Sequence, residues 1–251
     1  MDETMQMLVD LHRGADRLGP GTEAATRRAL ALAGLEGRAG LAVADIGCGT
    51  GAATRVLAAA LDADVVAIDL VGDFLATLVA RLGAEGLADR VTTLEAPMEA
   101  LPIAPGSLDA IVSEGAIYNM GFEAGLAAWR PLLKPGGVLA VSELSWLTAT
   151  RPAGVEAFWQ AGYPGIGPVS ARIAALEAAG YAPLGFFPLG TEAWAAYHDP
   201  LEAALPAFLA RHPGSSAAKA VAEETRQEIA IQRAHADVVS YGFYVARRHH
   251  P

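Results

Sequence analysis

The stretch Val43-Ala44-Asp45-Ile46-Gly47-Cys48-Gly49-Thr50-Gly51 opens on an apolar run and closes on three glycines at alternate positions. Such a run reads as a buried strand. The glycines read as a turn into a helix where a ligand meets the backbone closely, because glycine alone combines positive φ with a missing Cβ. A glycine triplet by itself is weak evidence. Its specificity rises because Asp45 precedes it and Asp69 closes the next apolar run, 18 positions after Gly51, near the spacing of a ribose-binding carboxylate.

Outward from this stretch, short apolar runs alternate with helical spacing, the pattern of repeated βαβ units and a parallel sheet. Strands are predicted over 41–46, 64–68, 91–95, 108–113 and 137–143, and helices over 52–61, 71–82 and 122–133. Lys134-Pro135-Gly136-Gly137 is expected to stop the last helix and turn the chain into a strand. Farther on, the pattern predicts a helix over 173–180, a strand over 183–189, helices over 201–211 and 217–235, and a strand over 240–246. Residues 1–40 read as helical, broken at Gly19-Pro20-Gly21, with Thr22 as the next N-cap.

Lys and Arg number 18 against 28 Asp and Glu among 251 residues, a formal net charge of −10. That balance argues against a nucleic-acid partner. The basic run Arg247-Arg248-His249-His250 reads as a solvated tail. Hydrophobic residues make up 53% and aromatics 7%, so the core is expected from Ala, Leu, Val and Ile, which suits helices packed on a buried sheet. Cys48 is the only cysteine, which excludes an intrachain disulfide. Residues 1–11, with Asp2, Glu3 and Asp10, lack the regions of a leader, and no long uncharged apolar span follows. The expectation is a cytoplasmic protein with no membrane partner.

The segment Asp45 to Gly51 resembles the first motif of the class I S-adenosylmethionine-dependent methyltransferases: an acid, an apolar residue and three alternate glycines. Ala96-Pro97-Met98-Glu99-Ala100-Leu101-Pro102 is similar to that family's adenine loop, and Leu108-Asp109-Ala110-Ile111-Val112-Ser113-Glu114 to its fourth strand and tip. Leu133-Lys134-Pro135-Gly136-Gly137 is similar to the turn before its fifth strand, and the likeness is clear over 41–145. It implies an α/β Rossmann-like fold, with a mostly parallel seven-stranded sheet, helices on both faces and an antiparallel last strand. The expected organisation is one domain over 1–251: a helical cap (1–40), a cofactor-binding core (41–146) and a substrate side (147–251) with a helical insertion at 191–238.

The resemblance also implies S-adenosylmethionine as cofactor and S-adenosylhomocysteine as product. Gly47, Cys48, Gly49 and Gly51 would pack on the methionine end, which Asp45 organises. Asp69 would hold the ribose hydroxyls, with Leu70 beside it, and Pro97, Met98 and Glu99 would bracket adenine. Pro97 stands where the family carries an acid, so the adenine amino contact is expected to move to the backbone or to Glu99. Cys48 is read as a small buried residue, not a nucleophile. The segments Glu114-Gly115-Ala116-Ile117-Tyr118-Asn119 and Ser142-Glu143-Leu144-Ser145-Trp146 resemble bacterial small-molecule methyltransferases, implying a small-molecule acceptor.

Methyl transfer from a sulfonium requires alignment, desolvation and, for some acceptors, loss of a proton, so neither a triad nor a metal is expected. Ligands of open α/β sheets sit outside the carboxyl ends of the strands. Glu114, Glu143 and Tyr118 are accordingly the catalytic candidates, either carboxylate serving as base or as anchor for a cationic acceptor. Glu114 reads equally well as a holder of the cofactor's ammonium or a nearby amide, and Glu143 as a structural ion pair. Asn119, Trp146 and His198 are expected in the substrate pocket, and His12 and Arg17 on the segment covering it. The late helices read as a lid or a homodimer contact. Two rivals stand beside this reading: an NAD(P)-dependent oxidoreductase, which the glycines satisfy loosely, and a protein that binds S-adenosylmethionine without transferring its methyl group.

Overall fold

A computed structural model describes residues 3–249 of the chain. Asp2 and His250, both used above, lie outside the described residues. Two helices come first, α1 (Glu3–His12) and α2 (Glu23–Ala33). The Thr22 hydroxyl caps α2 by accepting the Ala25 N–H, and Gly34 ends it at φ 66°. The central part runs β1 (Leu41–Ile46), α3 (Ala52–Ala60), β2 (Ala63–Asp69), α4 (Gly72–Glu85), β3 (Val91–Glu95), β4 (Leu108–Glu114), α5 (Phe122–Trp129) and β5 (Leu133–Trp146). It continues with α6 (Ala153–Gly162), β6 (Gly167–Pro168), α7 (Val169–Ala178), β7 (Tyr181–Pro188), α8 (Thr191–Arg211), α9 (Ser216–Ala234) and β8 (Val239–Arg248).

The sheet order is β3-β2-β1-β4-β5-β8-β7, parallel through β5, with β8 antiparallel to both of its neighbours. The two-residue β6 pairs with β5 and makes eight strands where seven were expected. Both faces are covered. Val43 of β1 packs into the cluster holding Leu30 of α2 and Leu57 of α3, while Ala44 and Ile46 face Leu126 of α5 and Leu176 of α7. This is the Rossmann-like methyltransferase architecture. Strand order reverses between β1 and β4, which opens a crevice at their carboxyl ends.

Several boundaries differ from the sequence-based expectation for physical reasons. Lys134 to Gly137 lie within β5 as an irregularity in its pairing with β4, Gly136 at φ 76°, and so do not form a turn before it. The helix expected from 201 begins at Thr191 and passes through Pro200 and Pro206. Its buried stripe Trp194, His198, Leu201, Leu205 and Phe208 continues across both prolines, so tertiary burial outweighs the lost backbone bonds. Helix α6 was not expected at all. Arg247 and Arg248 belong to β8 and not to a solvated tail, because the Arg248 guanidinium donates to the carbonyls of Pro131 and Leu133.

Helices α1, α8 and α9 share a cluster built on Leu11, Leu205, Phe208, Val221 and Ala222. Ends of the chain far apart in sequence thus meet above the crevice. No helix among the described residues is long and apolar enough to cross a membrane.

Candidate active site

A cavity of about 1020 Å³ lies along the carboxyl ends of β1 to β4, roofed by residues of α1, α8 and α9. Gly47, Gly49 and Gly51 hold φ of 74°, 54° and 87°. A Cβ on Gly47 would come within 2.3 Å of the Ala116 Cβ, an atom with no rotamer to escape into. The loop after β1 therefore lies directly against the segment after β4.

Asp69 fixes this loop from the next strand. Its Oδ2 accepts the Gly49 N–H at 2.8 Å and its Oδ1 accepts the Val71 N–H at 2.9 Å. Burial pushes its carboxyl above the usual range, against those backbone donors. Leu70, next in sequence, is 65% exposed and lines the cavity, as do Pro97, Met98 and Glu99 after β3. The Met98 carbonyl is held by the Trp129 indole N–H at 3.0 Å. Cys48 is buried, and burial followed by the charges of Asp45 and Asp69 pushes its thiol well up, so it stays a protonated small residue.

Asp45 is fully enclosed, with Oδ2 accepting the Thr54 hydroxyl at 2.6 Å. Burial pushes its pKa up to about 7 from an ordinary 3.8. The folded chain then keeps a proton that the unfolded chain has released, so this contribution to stability is present in acid and is lost as pH rises through about 4 to 7. Asp45→Asn keeps an acceptor for Thr54 without the titration. Between pH 4.5 and 7.5 the midpoint of thermal unfolding is expected to fall less in this variant than in the wild type; equal slopes would mean that Asp45 is ionised throughout.

The sequence-predicted catalytic residues separate. Glu114 lines the cavity, but both of its oxygens are engaged: Oε2 with Arg17 Nη1 at 3.0 Å and Oε1 with the Thr26 hydroxyl at 2.5 Å. The pair is only 11% and 7% exposed, and breaking a pair buried to this degree costs about 3–5 kcal/mol. Gly21 leaves room for it, since a Cβ there would meet Arg17 Nη1 at 2.4 Å. Glu114 thus fastens the N-terminal segment to the tip of β4. Thr50 and Arg81 fasten the same segment to the glycine loop, bonding the carbonyl of Ala15 at 3.0 and 3.1 Å.

Glu143 is fully buried and does not line the cavity. Strand β5 runs on to Trp146, so Glu143 lies inside the sheet opposite Gly242, with Oε1 3.3 Å from Arg172 Nη2. Burial pushes it up to about 7, opposed by the Tyr163 hydroxyl and Arg172. Trp146 is likewise a core residue, packed with Val155, Trp159 and Trp194. His198 is buried behind the cavity wall, its Nε2 2.9 Å from Glu228 Oε1. Tyr118 and Asn119 do line the cavity; Tyr118 is 38% exposed, and Asn119 Nδ2 donates to the Ala116 carbonyl at 2.9 Å.

Residues that sequence reasoning missed complete the wall: Tyr197, Glu224, Glu228 and Tyr241, with His12 having only been placed on the covering segment. The signal for α9 was present, since Val221, Glu224, Thr225 and Glu228 recur at i, i+3, i+4 and i+7, which puts two acids on the stripe that lines the cavity. His12 has a fixed proton arrangement. Nδ1 lies 2.8 Å from the Leu8 carbonyl, which can only accept, so Nδ1 carries the hydrogen and Nε2 the lone pair. The Tyr197 hydroxyl, 3.1 Å away, therefore donates to Nε2. Burial holds His12 below the usual imidazole range.

Comparison with known proteins fits this geometry. Residues 43–137 match the family described as "Methyltransferase domain". Over this segment the chain is similar to methyltransferase domains. A C-methyltransferase of ubiquinone and menaquinone biosynthesis from Syntrophotalea carbinolica is 39% identical over 131 residues, covering 51% of this chain and 52% of its own length. The chain spans 21% to 52% of the length of the curated relatives it matches. Among solved structures, an S-adenosylmethionine-dependent methyltransferase from Geobacter sulfurreducens, in complex with S-adenosyl-L-homocysteine, superposes with a TM-score of 0.82 at 19% identity, covering 96% of this chain and 97% of that one. A methyltransferase from Thiobacillus denitrificans with the same ligand gives 0.81 at 19% identity, covering 98% of both chains. At such identities the likeness speaks for the fold.

Proposed function

We propose that the chain transfers a methyl group from S-adenosylmethionine to a small molecule held in the same cavity. The observation that carries this reading is the glycine loop clamped by Asp69 and opening into a cavity of about 1020 Å³ that continues under α1, α8 and α9. The residues present suit a nucleoside: a carboxylate at the end of β2 to accept ribose hydroxyls, an exposed Leu70 beside it for the base, and Pro97, Met98 and Glu99 on the neighbouring loop. Gly47, Cys48, Gly49 and Asp45 take the methionine end. When bound, S-adenosylmethionine supplies a methyl group on a cationic sulfur that departs as a neutral thioether.

The chain's own part is enclosure and proton handling. Helices α1, α8 and α9 cover part of the cavity and so reduce the water that reaches the acceptor. With Glu114 engaged by Arg17 and Glu143 outside the cavity, the proton acceptor is His12 acting through Tyr197. The acceptor's proton moves to the Tyr197 oxygen as the Tyr197 hydroxyl proton moves to His12 Nε2. Bonded in this way, the phenol turns its lone pairs away from His12. The relative named for quinone biosynthesis supports a small-molecule acceptor, as does a cavity of about 1020 Å³.

Isothermal titration tests the reading. S-adenosylhomocysteine is expected to bind at one site per chain, and NAD and NADP to release no heat; the reverse pattern would overturn it. Incubation with S-adenosylmethionine and a metabolite extract should release S-adenosylhomocysteine. Tight binding with no release in any extract would favour a non-catalytic binding protein.

A further inference from the structure

We infer that the half of the cavity under α8 and α9 is built to hold an organic ammonium, with Glu228 as its counter-charge and Tyr118, Tyr197 and Tyr241 around it. The inference rests on the methyl-transfer reading and names the class of its acceptor. Helix α9 turns Val221, Glu224, Thr225 and Glu228 toward the cavity. Glu228 keeps 29% of its side chain exposed and lines the cavity, where a cationic ligand can reach it. The partner that Glu228 has is His198 Nε2, at 2.9 Å. That histidine is 1% exposed and its Nδ1 has no hydrogen-bond partner. His198 thus meets Glu228 through Nε2 alone.

Among the described residues lining the cavity, Arg17 is the only arginine or lysine, and it is committed to Glu114 at 3.0 Å. The Tyr197 ring packs 5.2 Å from that of His198, the partner of Glu228, and Tyr118 and Tyr241 line the same cavity. Aromatic rings about a carboxylate attract a cation through their faces as well as through its charge. An anionic acceptor would meet Glu224 and Glu228, and a neutral one would gain nothing from their charge. An ammonium satisfies the carboxylate and the rings together, and Tyr197 stands ready to take its proton.

Choline and its uncharged carbon isostere, 3,3-dimethylbutan-1-ol, separate charge from shape. In ligand-observed NMR titrations, with and without saturating S-adenosylhomocysteine, choline is expected to bind at least about tenfold more tightly than the alcohol. Glu228→Gln should bring the two within about twofold, and Tyr118→Leu should weaken choline several-fold, with thermal unfolding of each variant checked alongside. Equal affinities, no binding of choline, or a preference that survives Glu228→Gln would overturn the inference. The same samples titrated with S-adenosylhomocysteine keep the two readings apart. Retained nucleoside binding without cation preference removes only the ammonium site, whereas cation preference without nucleoside binding removes the methyl-transfer reading.

Discussion

Asp69→Ala is expected to weaken S-adenosylhomocysteine binding by at least about 100-fold, or about 2.7 kcal/mol. Two effects add. The substitution strips acceptors from the Gly49 and Val71 N–H groups, which Asp69 holds at 2.8 and 2.9 Å, and each amide left without a partner away from water costs about 1–3 kcal/mol. It also removes the carboxylate assigned to the ribose hydroxyls, whose hydrogen bonds to a charged acceptor are among the stronger ones. Asp69→Asn separates the two contributions. Its carbonyl oxygen replaces one acceptor, but its NH₂ must face a backbone N–H, so its affinity should fall between wild type and Asp69→Ala. Calorimetric titration gives the constants, and thermal unfolding of the ligand-free variants gives the structural share. A dissociation constant for Asp69→Ala within threefold of wild type would remove the ribose role and the placement of the nucleoside with it.

The half of the cavity proposed for the cofactor was legible in the sequence because its parts are local. Gly47 to Gly51, Asp69 and Pro97 to Glu99 each follow a strand whose apolar run is visible, and a parallel sheet brings successive strand ends to one edge. The acceptor half was legible only in part: Tyr118 was expected there and His12 on the segment covering it. Tyr197, Glu228 and Tyr241 come from α8, α9 and β8, and only non-local packing brings them together. Taken singly, each of these three reads as an ordinary surface or core residue.

Glu143 took the second of its two expected roles, the structural ion pair, for a subtler reason. The residue type was right for a base, but its role depended on where β5 ends, and three further residues of strand place it inside the sheet against Arg172. Glu114 reached the cavity because β4 does end there, yet its neutraliser, Arg17, lies 97 positions away. Sequence therefore located strand ends well enough to find backbone-built features. Side-chain roles decided by one turn of register or by a distant partner stayed hidden.

Tyr197→Phe is expected to lower kcat by about 10²–10³-fold while leaving S-adenosylhomocysteine affinity within twofold, the share usual for a positioned proton acceptor. Phenylalanine keeps the ring stacked on His12, now at 5.9 Å between centroids, and removes only the hydroxyl that links the acceptor to His12 Nε2. His12→Gln should lose a similar factor, and the double variant should lose little more than either single one, since residues acting as one unit do not add. The pH profile supplies a readout that a purely structural role would not move. Burial holds His12 below the usual imidazole range, so wild-type kcat should decline only in mildly acidic solution as Nε2 takes up a proton and can no longer accept one from Tyr197. In His12→Gln that acid limb should be absent and the residual rate flat. If both variants keep full activity, or if His12→Gln retains the acid limb, the proton leaves by another route and the pairing of His12 with Tyr197 serves only to seat α1 against α8.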